Sequence, residues 1–303
     1  MKIHVSVENM AFLECFASET RVRMIELLNE RPHSIKELAN ALSVSSAIVT
    51  KHVQKMEEAG IIGTESIPGT RGRRKICRLI ADSVTLFFKT PKAEDRNRYS
   101  VSIPVGQYSD CQVRPTCGLA SETGIIGIVD DPRYFSDPEH VKAKHIWFGS
   151  GYVEYRIPNF LLVNQRVRSL NISLEICSEA PGYNESWPSD LTFFINDIAI
   201  GTWTCPGDFG NNKGIFTPDW WDLGTQHGLL KQIVVNPDGT YIDGVKLSDV
   251  NTGKLAIGYG EEIRFRIACL EEAEHCGGVS LFGKHFGNYN QEIEVTVQYE
   301  PRD

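Results

Sequence analysis

"SIKELANALSVSSAIVTKHVQKMEEAGII", residues 34–62, decides how the chain begins. Ile35, Leu38, Ala39 and Leu42 recur at the three- and four-residue spacing that lays an apolar stripe along a helix. Ser34 precedes that run and Glu37 stands three residues later, the pattern in which a serine side chain bonds forward and a glutamate reaches back. After the turn "SVS", residues 45–59 carry a second stripe, Ile48, Val49, Val53 and Met56, behind Ser45 as the cap. Ser45, Ser46, Thr50, Lys51, Gln54 and Lys55 are left outside, and Gly60 ends the helix.

Upstream, "SETRVRMIELLNE" (18–30) sets Val22, Met24, Ile25 and Leu28 at helical spacing behind Ser18. Downstream, two short extended segments, "IIGTES" and "KICRLI", flank "IPGTRGRR", a glycine-bearing hairpin tip. It presents Arg71, Arg73, Arg74 and, just after, Lys75, cations suited to phosphates or to the minor groove. Small hydroxylic residues followed by basic ones suit a helix entering the major groove. Ser34, Ser45, Ser46, Thr50, Lys51, His52 and Lys55, with the four wing cations, are therefore the candidate DNA-contacting set. Each feature alone is equally well explained by a solvated surface. Helix, turn, helix and basic hairpin in that order favour DNA.

Residues 10–80 resemble the winged-helix domain of the ArsR family of bacterial transcriptional regulators, through "SETRVRMIELL", the stretch quoted above and "GTRGRRKICRL". The resemblance implies a homodimer reading an inverted-repeat operator in double-stranded DNA, its recognition helices about 34 Å apart. Residues 45–55 would be the recognition helix and 71–75 the wing. Many members sense metals through cysteines on the preceding helix; here "SIKELANAL" has none. Residues 82–88, "DSVTLFF", are expected as a last helix packing on "ENMAFLECF". Typical members of the family have no counterpart of residues 99–303.

The 303 residues suit two domains. Residues 1–98 carry 16 Lys+Arg against 12 Asp+Glu, and residues 99–303 carry 15 against 27. A basic piece joined to an acidic one points to a polyanion partner for the first and repulsion from polyanions for the second. The expected organisation is a winged helix–turn–helix over 1–90, a polar linker over 91–98 ("KTPKAEDRNR" around it) and a β-domain over 99–303. No stretch of about 18 apolar residues is present and "MKIHVSVENM" lacks the parts of a signal peptide, so a cytoplasmic location without membrane contact is expected. The eight cysteines are scattered and are read as thiols.

From Tyr99 onward short alternating runs recur between turn residues, among them "YSVSIPV", "HIWFG", "GYVEYRI", "LNISLEIC", "LTFFINDI", "EEIRFRIAC" and "EIEVTVQY". They predict an antiparallel β-sandwich of jelly-roll type, and the whole chain is classed as α+β and multidomain. Its strand pattern and aromatic loops look similar to the carbohydrate-binding modules of polysaccharide-degrading enzymes. Three loops, 178–190, 201–222 and 275–290, concentrate aromatic residues among carboxylates and amides. Rings that cover a sugar's C–H face, with in-plane hydroxyl partners, make Glu179, Trp187, Asp190, Trp203, Asp208, Asn211, Trp220, Trp221, His227 and Asn288 the candidate site for a mono- or oligosaccharide. Equally, any one of these aromatics is accounted for as core.

Other chemistries are weaker. "CQVRPTC" places Cys111 and Cys117 too far apart for the usual zinc pair, and neither "HVKAKH" nor "EHC" completes a set, so no metal or cofactor is expected. The alternative is a metal- or thiol-redox-sensing regulator using the Cys and His residues of this half, Cys111, Cys117, His140, His145, His275 and Cys276, with a thiol switch at Cys111 and Cys117. Carboxylate pairs such as Asp219 with Asp222, or Glu175 with Glu179, have the chemistry for glycoside hydrolysis, but such pairs arise by chance in an acidic domain. The chain is read as a regulator and not as an enzyme.

Overall fold

Ser34 Oγ accepts from the Glu37 amide at 3.3 Å, and Glu37 Oε2 accepts from the Ser34 amide at 2.7 Å. The helix beginning at Ile35 is thus capped from both sides, as the spacing predicts. The computed structural model describes residues 1–69, 72–88, 97–222 and 224–302. They fall into two compact units, Met1–Glu94 and Asp95–Asp303.

In chain order the first unit holds β1 (Lys2–His4), α1 (Met10–Leu13), α2 (Glu19–Glu30), β2 (His33–Ser34), α3 (Ile35–Leu42), α4 (Ser46–Glu58), β3 (Ile62–Gly69), β4 (Gly72–Leu79) and β5 (Thr85–Phe87). Ser43 takes a left-handed conformation (φ 56°) after α3, and Val44 N bonds back to Ala39 O, closing the turn into α4. β3 and β4 form the hairpin of the wing, and β2 adds a third strand through His33 opposite Cys77. Met24, Leu28, Leu38, Val49, Val53, Met56, Ile62 and Cys77 make the core.

Two faces differ from expectation. On α2 the buried residues are Arg21, Met24 and Leu28, while Val22 is 38% exposed. The stripe starts one residue earlier, because the Arg21 guanidinium finds enough acceptors to be buried. On α4 the stripe is Val49, Val53 and Met56, and Ile48 is 46% exposed. The helix expected over 82–88 is instead a strand: β5 pairs in parallel with β1, Lys2 opposite Thr85 and His4 opposite Phe87. Its β-branched and aromatic residues favour extended backbone once a partner edge is available.

The second unit is all strand apart from short 3₁₀ turns. It contains β6 (Arg98–Ile103), β7 (Asp110–Ala120), β8 (Ile125–Ile126), β9 (His145–Ile157), β10 (Gln165–Cys177), β11 (Ser189–Ile195), β12 (Ile198–Cys205), β13 (Leu229–Asn236), β14 (Gly239–Ile242), β15 (Val245–Ser248), β16 (Ile263–Cys269), β17 (Val279–Phe282) and β18 (Ile293–Pro301). Arg98, placed in the linker by the sequence, opens β6; residues 91–96 lie outside the described residues.

One antiparallel half runs β12-β11-β16-β9, with β7 also on β9; the other runs β15-β14-β13-β10, with β18 also on β10 and β6 on the far side of β18. The long strands β9 and β10 both pair with β17, which joins the halves into a nearly barrel-like sandwich. "HIWFG" and "GYVEYRI" are one strand and not two. β7, β12 and β17 are strands that the alternation of the sequence does not announce. A two-residue hairpin joins β11 to β12 through Asn196 and Asp197, both at positive φ (48° and 64°), the twist such hairpins require. Phe148, Tyr155, Ile172, Phe193, Phe265 and Val295 belong to the single core of this unit.

Candidate functional site

The outer face of α4 carries Ser46, Thr50, Lys51, Gln54 and Lys55, all exposed. Ser45 caps the helix, its Oγ accepting from Ile48 N at 3.3 Å, and Thr50 Oγ1 donates to Ser46 O at 2.8 Å. A run of hydroxyls followed by ammonium groups on one exposed helix face is suited to base edges and phosphates.

Two residues of the predicted set are engaged elsewhere. Ser34 is buried and bonded to Glu37 and Arg74, so it is a cap and not a surface contact. His52 turns inward, its Nδ1 3.4 Å from Arg21 Nη1. Burial first, then the Arg21 and Lys55 charges, push its imidazole below the ordinary value, so it stays neutral at neutral pH.

The cations differ in how they are held. Arg74 pairs with Glu37 at 3.1 Å, Lys75 with Glu57 at 3.0 Å and Lys55 with Glu14 at 3.8 Å. Pairs this exposed contribute about 0–1 kcal/mol, so a phosphate can displace the carboxylate at little cost. Among the described residues Lys51 and Arg73 carry no ion pair and are exposed. Arg71, at the wing tip, lies outside the described residues.

In the sandwich the ten candidate ligand residues separate into groups. Trp221 is only 7% exposed and packs against His145, Trp147 and Phe286, its indole N–H donating to Thr225 O at 2.9 Å. It is core, because adjacent tryptophans at a turn point opposite ways and this one meets the aromatic cluster at the head of β9. Trp220 is half-buried and donates its indole N–H to Glu122 O at 2.7 Å. Trp203 is half-buried beneath Lys231, whose Nζ lies 4.6 Å from the ring centroid. Trp187 and Asn211 are exposed. Asp190 accepts from Thr204 Oγ1 at 2.6 Å and from His275 N at 3.0 Å. His227 stacks on Phe209 at 5.6 Å, and Asn288 Oδ1 accepts from Ile215 N at 3.0 Å.

Glu179 and Asp208 are withdrawn from the surface. Glu179 accepts from Thr116 and Ser280 hydroxyls at 3.3 and 2.9 Å, and Asp208 Oδ2 accepts from Ala180 N at 2.9 Å. Burial raises both carboxyls above the ordinary range, and Asp208 further raises Glu179. Nearby Glu175 is buried too and accepts backbone N–H bonds from Gly228, Asn288 and Tyr289 at 2.7–2.9 Å. Burial outweighs those donors and raises it to about 7. These carboxyls hold loops together through the backbone and hydroxyl donors of neighbouring segments.

Cys111 and Cys117 sit six residues apart along β7, a span of about 15–20 Å, whereas a disulfide needs Cα atoms within about 7 Å. An intramolecular disulfide between these two thiols does not fit that span. A cleft of about 960 Å³, lined by Val163, Arg166, Ile257, Tyr259, Glu300 and Arg302 among others, contains none of the ten candidate residues. Its walls come from sequence segments with no motif, so nothing local flagged it.

Residues 18–64 match the family model described as bacterial regulatory protein, arsR family. That segment is an ArsR-family helix–turn–helix domain. The chain is 32% identical over 62 residues to an uncharacterised HTH-type transcriptional regulator of Methanocaldococcus jannaschii, covering 20% of this chain and 65% of that protein. The chain thus spans about two thirds of the length of the curated relative it matches. Among solved structures, Rv0081 of M. tuberculosis is 25% identical, with 23% of this chain and 67% of that one covered and a TM-score of 0.21. Reduced HlyU from Vibrio cholerae is 19% identical, with 24% and 73% covered and a TM-score of 0.22.

Proposed function

We propose that this chain is a cytoplasmic, homodimeric DNA-binding transcriptional regulator that reads an inverted-repeat operator, its β-sandwich responding to a neutral mono- or oligosaccharide. The observation that carries the DNA-binding part is the exposed Ser46, Thr50, Lys51, Gln54 and Lys55 face of α4 inside the ArsR-type segment. The wing adds Arg73, Arg74 and Lys75. Among the described residues no helix is long and apolar enough to cross a membrane.

For the sandwich, the reading narrows to Trp187, Trp203, Trp220 and Asn211, which keep ring or amide surface in solvent, with Asp190 and His227 kept as the candidate hydroxyl partners. Trp221, Glu179 and Asp208 are left out of it, being taken up by contacts within the fold. The acidity of this half suits a ligand without phosphate or carboxylate. Sugar binding changes operator affinity only if one DNA-binding arrangement is favoured by the ligand.

The test of DNA binding is a salt titration of operator affinity for wild type, Lys51→Ala and Arg73→Ala. Each variant should bind more weakly and show a log–log salt slope smaller by about 1. A basic face that is merely solvated would leave both affinity and slope unchanged. For the ligand, tryptophan fluorescence titrated with a sugar panel should show saturable quenching that Trp220→Ala reduces. Saturation lost instead in Tyr259→Ala would place the ligand in the 960 Å³ cleft.

A further inference from the structure

Of the eight cysteines, Cys276 is exposed, Cys111 half-buried and the other six buried. Cys276 does not stand alone: its Sγ lies 3.7 Å from the Sγ of Cys269, the last residue of β16. The two are seven residues apart, at the ends of the acidic loop that leads into β17.

The loop clamps the second thiol from both sides. Asp190 N donates to His275 O at 2.8 Å, and His275 N donates to the Asp190 carboxylate at 3.0 Å. Glu179 N donates to Gly277 O at 2.8 Å, and Ser189 Oγ donates to Gly278 O at 2.7 Å. Gly278 sits at φ +70°, and a Cβ on Gly277 would come within 2.3 Å of Pro188 O. The backbone at 275–278 therefore has one seat, and that seat brings the Cys276 sulfur into van der Waals contact with Cys269.

We propose that Cys269 and Cys276 are an oxidisable dithiol, closed by hydroperoxides to an intramolecular disulfide. The exposed Cys276 thiol takes one oxygen from the peroxide to become a sulfenic acid, releasing an alcohol or water. The Cys269 sulfur then attacks the Cys276 sulfur, the S–S bond forms, and the hydroxyl leaves as water with the Cys269 proton. One peroxide is reduced and two thiols are oxidised. Closing the pair needs the sulfurs to approach from 3.7 Å to about 2.05 Å, a side-chain rotation at Cys276 with a small loop adjustment. Burial, Cys269 and the Glu271 and Glu272 carboxylates raise Cys276 to about 11, so the first step is slow at neutral pH and quickens as pH rises.

Trypsin leaves both cysteines in one peptide, Ile267–Lys284. The full chain is treated with hydrogen peroxide, denatured, alkylated and digested. The expected result is a peptide two hydrogens lighter carrying no alkyl group, loss of two of the eight thiols, and recovery with dithiothreitol. Cys111→Ser should close equally well, and Cys276→Ser should leave Cys269 fully alkylated. A peptide that still takes two alkyl groups after other residues have oxidised, or Cys276 found as sulfinate or in an intermolecular bridge, overturns the proposal. The wild-type map alone decides, so a variant that folds poorly does not blunt the test.

Discussion

Glu179 and Asp208 share one donor: Thr225 Oγ1 lies 2.9 Å from Asp208 Oδ2 and 3.4 Å from Glu179 Oε2. Asp208 is buried and Glu179 half-buried, and although Thr116, Ser280 and the Ala180 amide also donate to them, their two negative charges oppose one another. Burial accordingly raises both above the ordinary carboxylate range, and Glu175 to about 7. The folded chain then holds protons that the unfolded chain releases at about pH 4.5, so stability falls as pH rises from there toward neutrality. Thermal melts should give a higher midpoint for the sandwich near pH 5.5 than near pH 8. Glu179→Gln should flatten that slope and raise the midpoint at pH 8. An unchanged slope would mean that the pair is solvated.

Trp220 and Trp221 should separate cleanly. Trp221→Ala removes a ring wedged between His145, Trp147 and Phe286 and should cost about 3–5 kcal/mol. Trp220→Ala, half-buried, should cost well under half of that. Denaturant melts of both variants check the difference, and equal losses would place both rings in the core.

The capping box was legible because it is local: Ser34 and Glu37 specify each other within one turn. The wing hairpin and the alternation of β6, β10, β16 and β18 were legible for the same reason, each being a pattern of period two with turn residues at its ends. β5 was not, because its strand partner is β1, some eighty residues away, and "DSVTLFF" has no local feature that announces it. Nor could "DWWD" reveal which ring turns inward, since that depends on where His145 of β9 and Phe286 of the loop after β17 arrive from elsewhere in the chain. The Cys269–Cys276 contact escaped for a like reason. It depends on Asp190, Glu179 and Ser189 seating the loop, while the "CQVRPTC" spacing drew notice to cysteines that an extended strand holds apart.

Ser34→Ala should remove the forward half of the capping box and cost about 1 kcal/mol. Hydrogen bonds from the Ser34 hydroxyl, then its amide, lower Glu37 to about 2, with Arg74 adding to them. The sign is opposite to that of the buried sandwich carboxyls: the contribution is present above the ordinary glutamate value and is lost as pH falls toward 2. The stability difference between wild type and Glu37→Gln should therefore shrink between about pH 4.5 and pH 2. A difference constant across that range would show that the carboxylate form is not what the cap uses.

Arg21 is the one cation of α2 drawn into the core, and its bonds tie three elements together. Its Nε donates to Cys15 O at 3.1 Å, its Nη2 to Glu14 O, and its Nη1 faces His52 Nδ1 on α4 at 3.4 Å. Lysine cannot reproduce that fork, because an ammonium is a point donor without the planar spread. Arg21→Lys should therefore destabilise the first unit by about 1–3 kcal/mol, and Arg21→Ala by more, since two carbonyls and an imidazole lose a buried partner. His52→Ala should cost less, because Arg21 keeps its carbonyls. If His52 instead served DNA directly, its alanine variant would lose operator affinity at unchanged stability. If it acts through Arg21, affinity and melting midpoint should fall together in both variants, which parallel melts and operator titrations will distinguish.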